Sequence, residues 1–281
     1  MSKSVFVPGH ITGFFTIENH EVSLKNGSCG AGFLLSEGVK TTVSPASELT
    51  IEVNQGDSTV IDEVLSILDI ETDFKITQDI QLPIGAGFGT SAASALSLTL
   101  AINEFLDLGY SKELCGQIAH MAEVNLGAGL GDVIAQTGHG MVLRTQAGAP
   151  GIGEIKSFEH DVAIAWKTFG TIETADIIRD DHHKQVISQA GLKYLESFEK
   201  EPTLRNFLDF SNKFSYEINL MTDEVKNLIE YFNSRPDILG SSMAMLGNTV
   251  FTFAYDEDAF KTLGIEDLHI DKLNNIGIVY D

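Results

Sequence analysis

The chain has 281 residues, 43% of them hydrophobic, which is ample for a packed core and too apolar for a disordered polymer. Its 40 acidic residues against 18 basic ones leave a formal net charge of −22 at neutral pH. Such a surface repels nucleic acid and anionic lipid, so neither is an expected partner.

In chain order, Val5–Val7, Thr16–Leu24 and Val39–Val53 are rich in β-branched residues punctuated by Gly and Asn, and are predicted as strands. Ser58–Leu68 alternates at helical period, with Asp57 or Ser58 as its cap. Phe74–Leu82 alternates apolar and polar residues, giving a strand that delivers a glycine-rich loop. Helices follow over Ser91–Leu106 and Ser111–Asn125, then a second glycine run, then a strand over His139–Arg144. Gln146–Gly153, with three glycines and a proline, is the predicted linker, dividing the chain into residues 1–150 and 151–281. Beyond it lie a strand over Val162–Thr168, helices between Ala175 and Phe232, and strands over Thr249–Ala254 and Ile276–Val279. There is no internal repeat, and the irregular mixture of strands and helices favours an α+β fold over a doubly wound sheet.

The longest apolar stretch, Ala92–Leu106, is interrupted by Ser94, Ser97, Thr99, Asn103 and Glu104 and is too short to span a bilayer. No apolar h-region precedes Pro8, so no secretory signal is expected. Cys29 and Cys115 are too few for a disulfide framework and form no C-x-x-C pair. They are expected as free thiols in a reducing cytoplasm, Cys115 on the core face of a helix.

The most informative segment is residues 83–93, Pro-Ile-Gly-Ala-Gly-Phe-Gly-Thr-Ser-Ala-Ala. Gly85, Gly87 and Gly89 leave backbone N–H groups uncovered, and a helix starting at Ser91 adds its own unpaired N–H groups and positive dipole end. Together they make a cradle for a polyphosphate. It is not a Walker A loop, because no lysine follows Gly89, nor a Rossmann turn, because the spacing is G-x-G-x-G. Backbone amides, hydroxyls and a metal ion must therefore meet the phosphate charge. Thr90 and Ser91 are placed for this, one to cap the helix and one to reach a phosphate or Mg²⁺.

Pro83–Ala93 resembles the second motif of the GHMP kinases, the superfamily of galactokinase and of homoserine, mevalonate and phosphomevalonate kinases. Phe88 replaces the usual Leu and Thr90 the first Ser. Residues Val7–Phe15, Val-Pro-Gly-His-Ile-Thr-Gly-Phe-Phe, stand where that superfamily has P-G-[KR], with His10 in place of the cation. This segment is most similar to the archaeal pantoate kinase branch, as is Gly240–Val250, which replaces the more glycine-rich third motif. The resemblance implies an N-terminal domain like domain 2 of ribosomal protein S5 and a ferredoxin-like C-terminal domain. It implies ATP and Mg²⁺ as cofactors, a cytoplasmic homodimer, and phosphorylation of (R)-pantoate to 4-phosphopantoate for coenzyme A synthesis. The nucleotide then lies along Pro83, Gly85, Gly87, Phe88, Gly89, Thr90, Ser91 and Ala92.

Phosphoryl transfer to an alcohol calls for a carboxylate at the hydroxyl and a metal ion across the phosphates. Glu123 on a helix and Asp132, just after Gly127-Ala-Gly-Leu-Gly131, can face one cleft from two elements. Glu123 with Ser91 is assigned to the metal and Asp132 to the substrate hydroxyl, roles the family resemblance supports; the bland alternative for Asp132 is a cap for Val133–Gln136. Arg144, the only Lys or Arg between Lys112 and Lys156, is a natural bidentate partner for a carboxylate. His120 shares a helix face with Glu123, and the resemblance implies that His120 and Arg144 help hold pantoate. His10, Ser28, Thr171 and Thr174 complete the expected substrate set, although such loop hydroxyls are also common turn formers. His182-His183 has no third ligand at useful spacing and reads as a surface pair. The rival readings are another GHMP kinase, acting on homoserine, mevalonate or shikimate, and a non-catalytic metabolite sensor on the same fold.

Overall fold

In the computed structural model, which describes residues 1–70, 72–171 and 181–281, the whole Val7–Phe15 motif is drawn into one long first strand, β1 (Lys3–Phe15). It pairs antiparallel with β2 (Gly30–Pro45), and the register shifts between Pro8 and His10 and between Thr12 and Phe14. β3 (Thr50–Val53), α1 (Thr59–Leu68) and β4 (Phe74–Ile80) follow, then α2 (Thr90–Leu106), α3 (Lys112–Leu126) and the short α4 (Asp132–Gln136). β5 (Met141–Gln146) and β6 (Glu154–Phe158) extend the sheet from the Gly30 end of β2. β7 (Ala163–Thr168) opens a second sheet, followed by α5 (Asp181–Lys200), α6 (Leu204–Ile218) and α7 (Asp223–Asn233). β8 (Gly240–Met243), β9 (Thr249–Ala254), α8 (Asp258–Lys261), β10 (His269–Lys272) and β11 (Val279–Tyr280) complete the described chain.

The first sheet has seven strands with the path β11-β1-β2-β4-β3 and β5–β6 branching from β2; the second has four in the order β10-β7-β9-β8. β1 and β2 are shared by two cores. Val5, Val7, Val39 and Val43 pack with α1–α3, whereas Ile11, Phe14, Phe33 and Leu35 pack with the second sheet and α5–α7. Phe33 meets Phe251 and Phe253 edge to face at 5.0 and 4.8 Å, which locks the two sheets together. The expected boundary near residue 150 falls in a turn that returns β5 into β6, so the chain leaves the first sheet only after Phe158.

α2 is apolar on every side because it is buried on every side down to Ile102. The hydroxyls that interrupt its apolar run are all bonded: Ser94 donates to Gln78 at 2.7 Å, Ser97 pairs with Thr41 at 2.6 Å, and Thr99 donates to the Ala95 carbonyl at 2.8 Å. Among the described residues no helix is long and apolar enough to cross a membrane. Both cysteines are free, and burial raises the Cys115 thiol to about 11, as suits a core side chain.

Several predicted elements are corrected. Thr16–Leu24 is no strand: it holds one bridge, Glu18 to Gly27, and a 3₁₀ turn at Ser23–Lys25. Asn26 takes the His20 N–H through its side chain, so local bonds displace the ladder. Val39–Val53 breaks after Pro45 into two strands. The last strand starts at Val279, because the Asn274 side chain captures the N–H groups of Ile276 and Gly277. β10 escapes a pattern search because its polarity is inverted, with Asp271 buried and Ile270 exposed.

Candidate active site

The loop between β4 and α2 bends at its alternate glycines, with φ of 73°, 90° and 59° at Gly85, Gly87 and Gly89, a region that side chains other than glycine rarely enter. It is tied down along its length. His10 N donates to the Phe88 carbonyl at 2.9 Å, Gln136 Nε2 to that of Gly89 at 2.9 Å, and Thr249 Oγ1 to that of Ala86 at 2.8 Å. The Phe88 ring packs against Trp166 at 4.6 Å. Gly89 itself is the N-cap of α2, and no side chain caps it. The expected hydroxyl cap is therefore corrected: Thr90 donates back to the Pro83 carbonyl at 3.3 Å and closes the loop, while Ser91 turns to Glu123. The first N–H groups of α2 have no partner within the helix, and Gly85, Gly87, Phe88, Gly89, Thr90 and Ser91 line a cavity beside that end. Pro83 and Ala92 are not part of that lining; Ala92 is buried in the α1–α3 core.

Glu123 and Asp132 come to this cavity from α3 and from the start of α4. Ser91 Oγ donates to Glu123 Oε1. Glu123 is 1% exposed, and burial, assisted by the charge of Asp132 and opposed by the Ser91 hydroxyl, pushes its carboxyl up to about 8. Asp132 does not cap α4, whose N-cap is Gly131; its Oδ1 instead lies 2.6 Å from His10 Nδ1. Burial draws the Asp132 carboxyl upward, but the His10 hydrogen bond, with the Arg144 charge behind it, outweighs burial and holds it below the usual value. Two neighbouring carboxyls are thus pushed in opposite directions, one retaining a proton and one ionised.

Arg144 on β5 is 1% exposed. Its Nε donates to the Ser28 carbonyl at 3.2 Å, and both terminal nitrogens lie 3.5 Å from Thr12 Oγ1. Nη1 lies 3.4 Å from His10 Nε2. A guanidinium can only donate, so His10 Nε2 accepts and the imidazole proton sits on Nδ1, aimed at Asp132. Burial lowers the His10 pKa, Asp132 opposing and Arg144 assisting, so the ring is neutral. Gly32 makes room for it, since any side chain there would run into the ring.

The structure brings Ser28, Ser91, Glu123, Asp132 and Arg144 to one cavity. It does not bring His10 into the lining, which corrects the expected substrate contact: the ring lies behind Asp132 and Arg144. His120 is buried as well, with Nε2 3.3 Å from the Ser23 carbonyl, and fastens the turn ahead of Ser28 rather than lining the cavity. Thr171 is exposed, with its side chain close to Gly85, and Thr174 lies outside the described residues. Pattern reasoning missed Thr12, Phe15, Ile17, Leu130, Met245 and Leu246, all lining residues. Thr12 and Phe15 were within the quoted N-terminal motif, but a strand's facing cannot be assigned across its two bulges.

Among the described residues no group of three or more His, Cys, Asp or Glu could hold a metal alone. Ser91 and Glu123 offer two hard oxygen donors beside the phosphate cradle, which fits Mg²⁺, an ion that takes one or two carboxylates and fills its shell with phosphate oxygens and water.

An anion cradle, an ionised carboxylate and a buried guanidinium around one cavity define a small-molecule phosphotransferase. Residues 58–140 match the family described as GHMP kinases N terminal domain. The chain is 33% identical to the pantoate kinase of Methanocaldococcus jannaschii, over 93% of this chain and 96% of that one. It is 33% identical to that of Thermococcus kodakarensis, over 91% and 89%. A solved structure described as a phosphotransferase related to the CoA biosynthesis pathway superposes with a TM-score of 0.88 at 28% identity, covering 100% of this chain and 99% of that one. The chain belongs to the GHMP kinase family.

Proposed function

We infer that the protein is an ATP-dependent kinase that phosphorylates the 4-hydroxyl of (R)-pantoate, giving 4-phosphopantoate for coenzyme A synthesis, and that Mg²⁺ serves the transfer. One observation carries the acceptor assignment: Arg144 and Asp132 line one cavity with the glycine loop, and a single buried histidine joins them. Asp132 packs against Gly89 on the phosphate side, so a molecule with a carboxylate at Arg144 can place a hydroxyl between Asp132 and the cradle. Similarity to two archaeal pantoate kinases over nearly the full chain supports this acceptor.

In this reading the Arg144 fork and the Ser28 hydroxyl hold the substrate carboxylate. Asp132, kept ionised by its neighbours, orients the acceptor hydroxyl and receives its proton as the new P–O bond forms. The loop N–H groups and the α2 dipole hold the phosphates with no lysine needed. Ser91 and Glu123, which would give up its proton to the incoming cation, would hold the metal ion, and the ion would supply neutralising charge to the transferring group. A cytoplasmic location and a homodimeric state follow from the family resemblance alone.

The test is ADP release with Mg-ATP against pantoate, homoserine, mevalonate, shikimate and galactose. Turnover on pantoate alone is the expected result. Turnover on another carboxylate acceptor would keep the chemistry and discard pantoate; turnover on galactose, which has no carboxylate, would discard the role of Arg144 as well. Nucleotide binding with no turnover on any of them would favour the sensor reading.

A further inference from the structure

We propose that Phe15, Ile17 and Leu130, with the Thr12 methyl, form a preformed apolar wall beside Arg144 that reads the geminal methyl groups of a branched hydroxy acid. This rests on the pantoate reading and names what makes the site selective within it. All four residues line the cavity. Their place at the Arg144 end follows from strand register: Phe15 pairs with Gly30, and Gly30 pairs with Arg144. Thr16 N donates to the Cys29 carbonyl at 2.8 Å, which keeps Ile17 beside the Ser28–Cys29 segment that leads into β2. Thr12 Oγ1 is within 3.5 Å of both terminal nitrogens of Arg144. Leu130 precedes Gly131, where a side chain would meet Arg144 Nε at 2.9 Å.

The wall is rigid before any substrate arrives. Phe15 and Ile17 are only 7% and 9% exposed although they face the cavity. The Phe15 ring packs edge to face on Phe214 of α6 at 5.9 Å, and Ile17 N donates to Ser188 Oγ of α5 at 3.1 Å. A surface so fixed rewards a ligand that fills it and cannot close on a thinner one. It also offers nothing to an ammonium group. Glu123 and Asp132 are the two carboxylates of the described lining, and they are engaged by Ser91 and His10. An α-amino acid of similar length would set its cation against Arg144 and hydrocarbon. A carboxylate, two methyls and a terminal hydroxyl on one short chain suit a single cavity lined by Arg144, the wall and Asp132.

Burying two methyl groups in such a site is worth a preference of roughly 10- to 100-fold in kcat/KM. The experiment compares wild-type turnover of (R)-pantoate with that of 2,4-dihydroxybutanoate, the same chain without its methyls, and of homoserine. It then repeats the two hydroxy acids with Ile17→Ala and with Leu130→Ala. The expected result is a clear wild-type preference for pantoate that shrinks to a few-fold in either variant. Leu130 lies on a half-buried turn, so its variant keeps the test alive if Ile17→Ala fails to fold. Equal wild-type use of the two hydroxy acids, or an unchanged preference in a folded variant, overturns the wall and leaves the pantoate reading intact. A wild type that binds ATP and ignores pantoate overturns both.

Discussion

His10 Nδ1 lies 2.6 Å from Asp132 Oδ1, and its opposite nitrogen faces the Arg144 guanidinium at 3.4 Å, so one buried ring joins the candidate base to the candidate carboxylate anchor. A neutral donor fixes the Asp132 carboxylate in position without placing a full positive charge on it, which keeps the anion basic. His10→Ala should therefore lower kcat by about 10- to 100-fold, through a loosened Asp132, while the protein still binds ATP. His10→Asn, whose amide can still donate toward Asp132, should recover part of that loss. Steady-state kinetics on the two variants decide it; equal defects in both would remove the hydrogen bond from the explanation.

Asp132→Asn preserves shape and removes the proton acceptor. Turnover should fall by roughly 10²- to 10⁴-fold, the usual worth of a positioned general base, with the ATP dissociation constant nearly unchanged. Near-normal turnover in that variant would mean that Asp132 is not the base.

How much of this was legible beforehand differs by residue. The glycine loop and the Glu123–Asp132 pair could be located because glycine spacing and helix period are local signals. The role of His10 could not, since its partners sit 122 and 134 positions away and only the β1–β2–β5 register brings them together. The same holds for Phe15 and Ile17, which read as strand hydrophobics and turn out to serve both the core and the cavity. Thr16–Leu24 misled for the opposite reason: its β-branched residues promise a strand that the side chain of Asn26 undoes.

Glu123 carries a pH signature of stability. Its carboxyl rises from an ordinary 4.5 to about 8 in the folded chain, so the folded state holds the proton more tightly than the unfolded one. That contribution is fully present at acidic pH and is lost as pH climbs from about 4.5 through about 8. Without metal or nucleotide, Glu123→Gln should melt above wild type at pH 8.5, and the gap should narrow toward pH 5. The same variant should lose phosphoryl transfer, because an amide cannot supply the anionic ligand. Melting curves at the two pH values test the first half; a gap that widens on acidification would reverse the assignment.

Arg144 provides the sharpest separation of charge from shape. Its Nε is committed to the Ser28 carbonyl and its terminal nitrogens graze His10 and Thr12 at 3.4 and 3.5 Å, which fixes the plane of the fork and leaves donors for a carboxylate. A lysine keeps the charge but cannot hold three directions at once. Arg144→Lys should therefore raise the KM for pantoate by about 10- to 100-fold, the worth of a charge-assisted bidentate pair, and leave the KM for ATP within a factor of a few. Arg144→Ala should be at least as severe toward pantoate and should melt lower as well, since it strips an acceptor's partner from His10 and from Ser28. Initial rates at saturating ATP, read beside a melting curve for each variant, separate recognition from folding. A folded Arg144→Lys protein with a normal KM for pantoate would take the guanidinium out of the acceptor site, and the substrate carboxylate would then have to be sought elsewhere in the cavity.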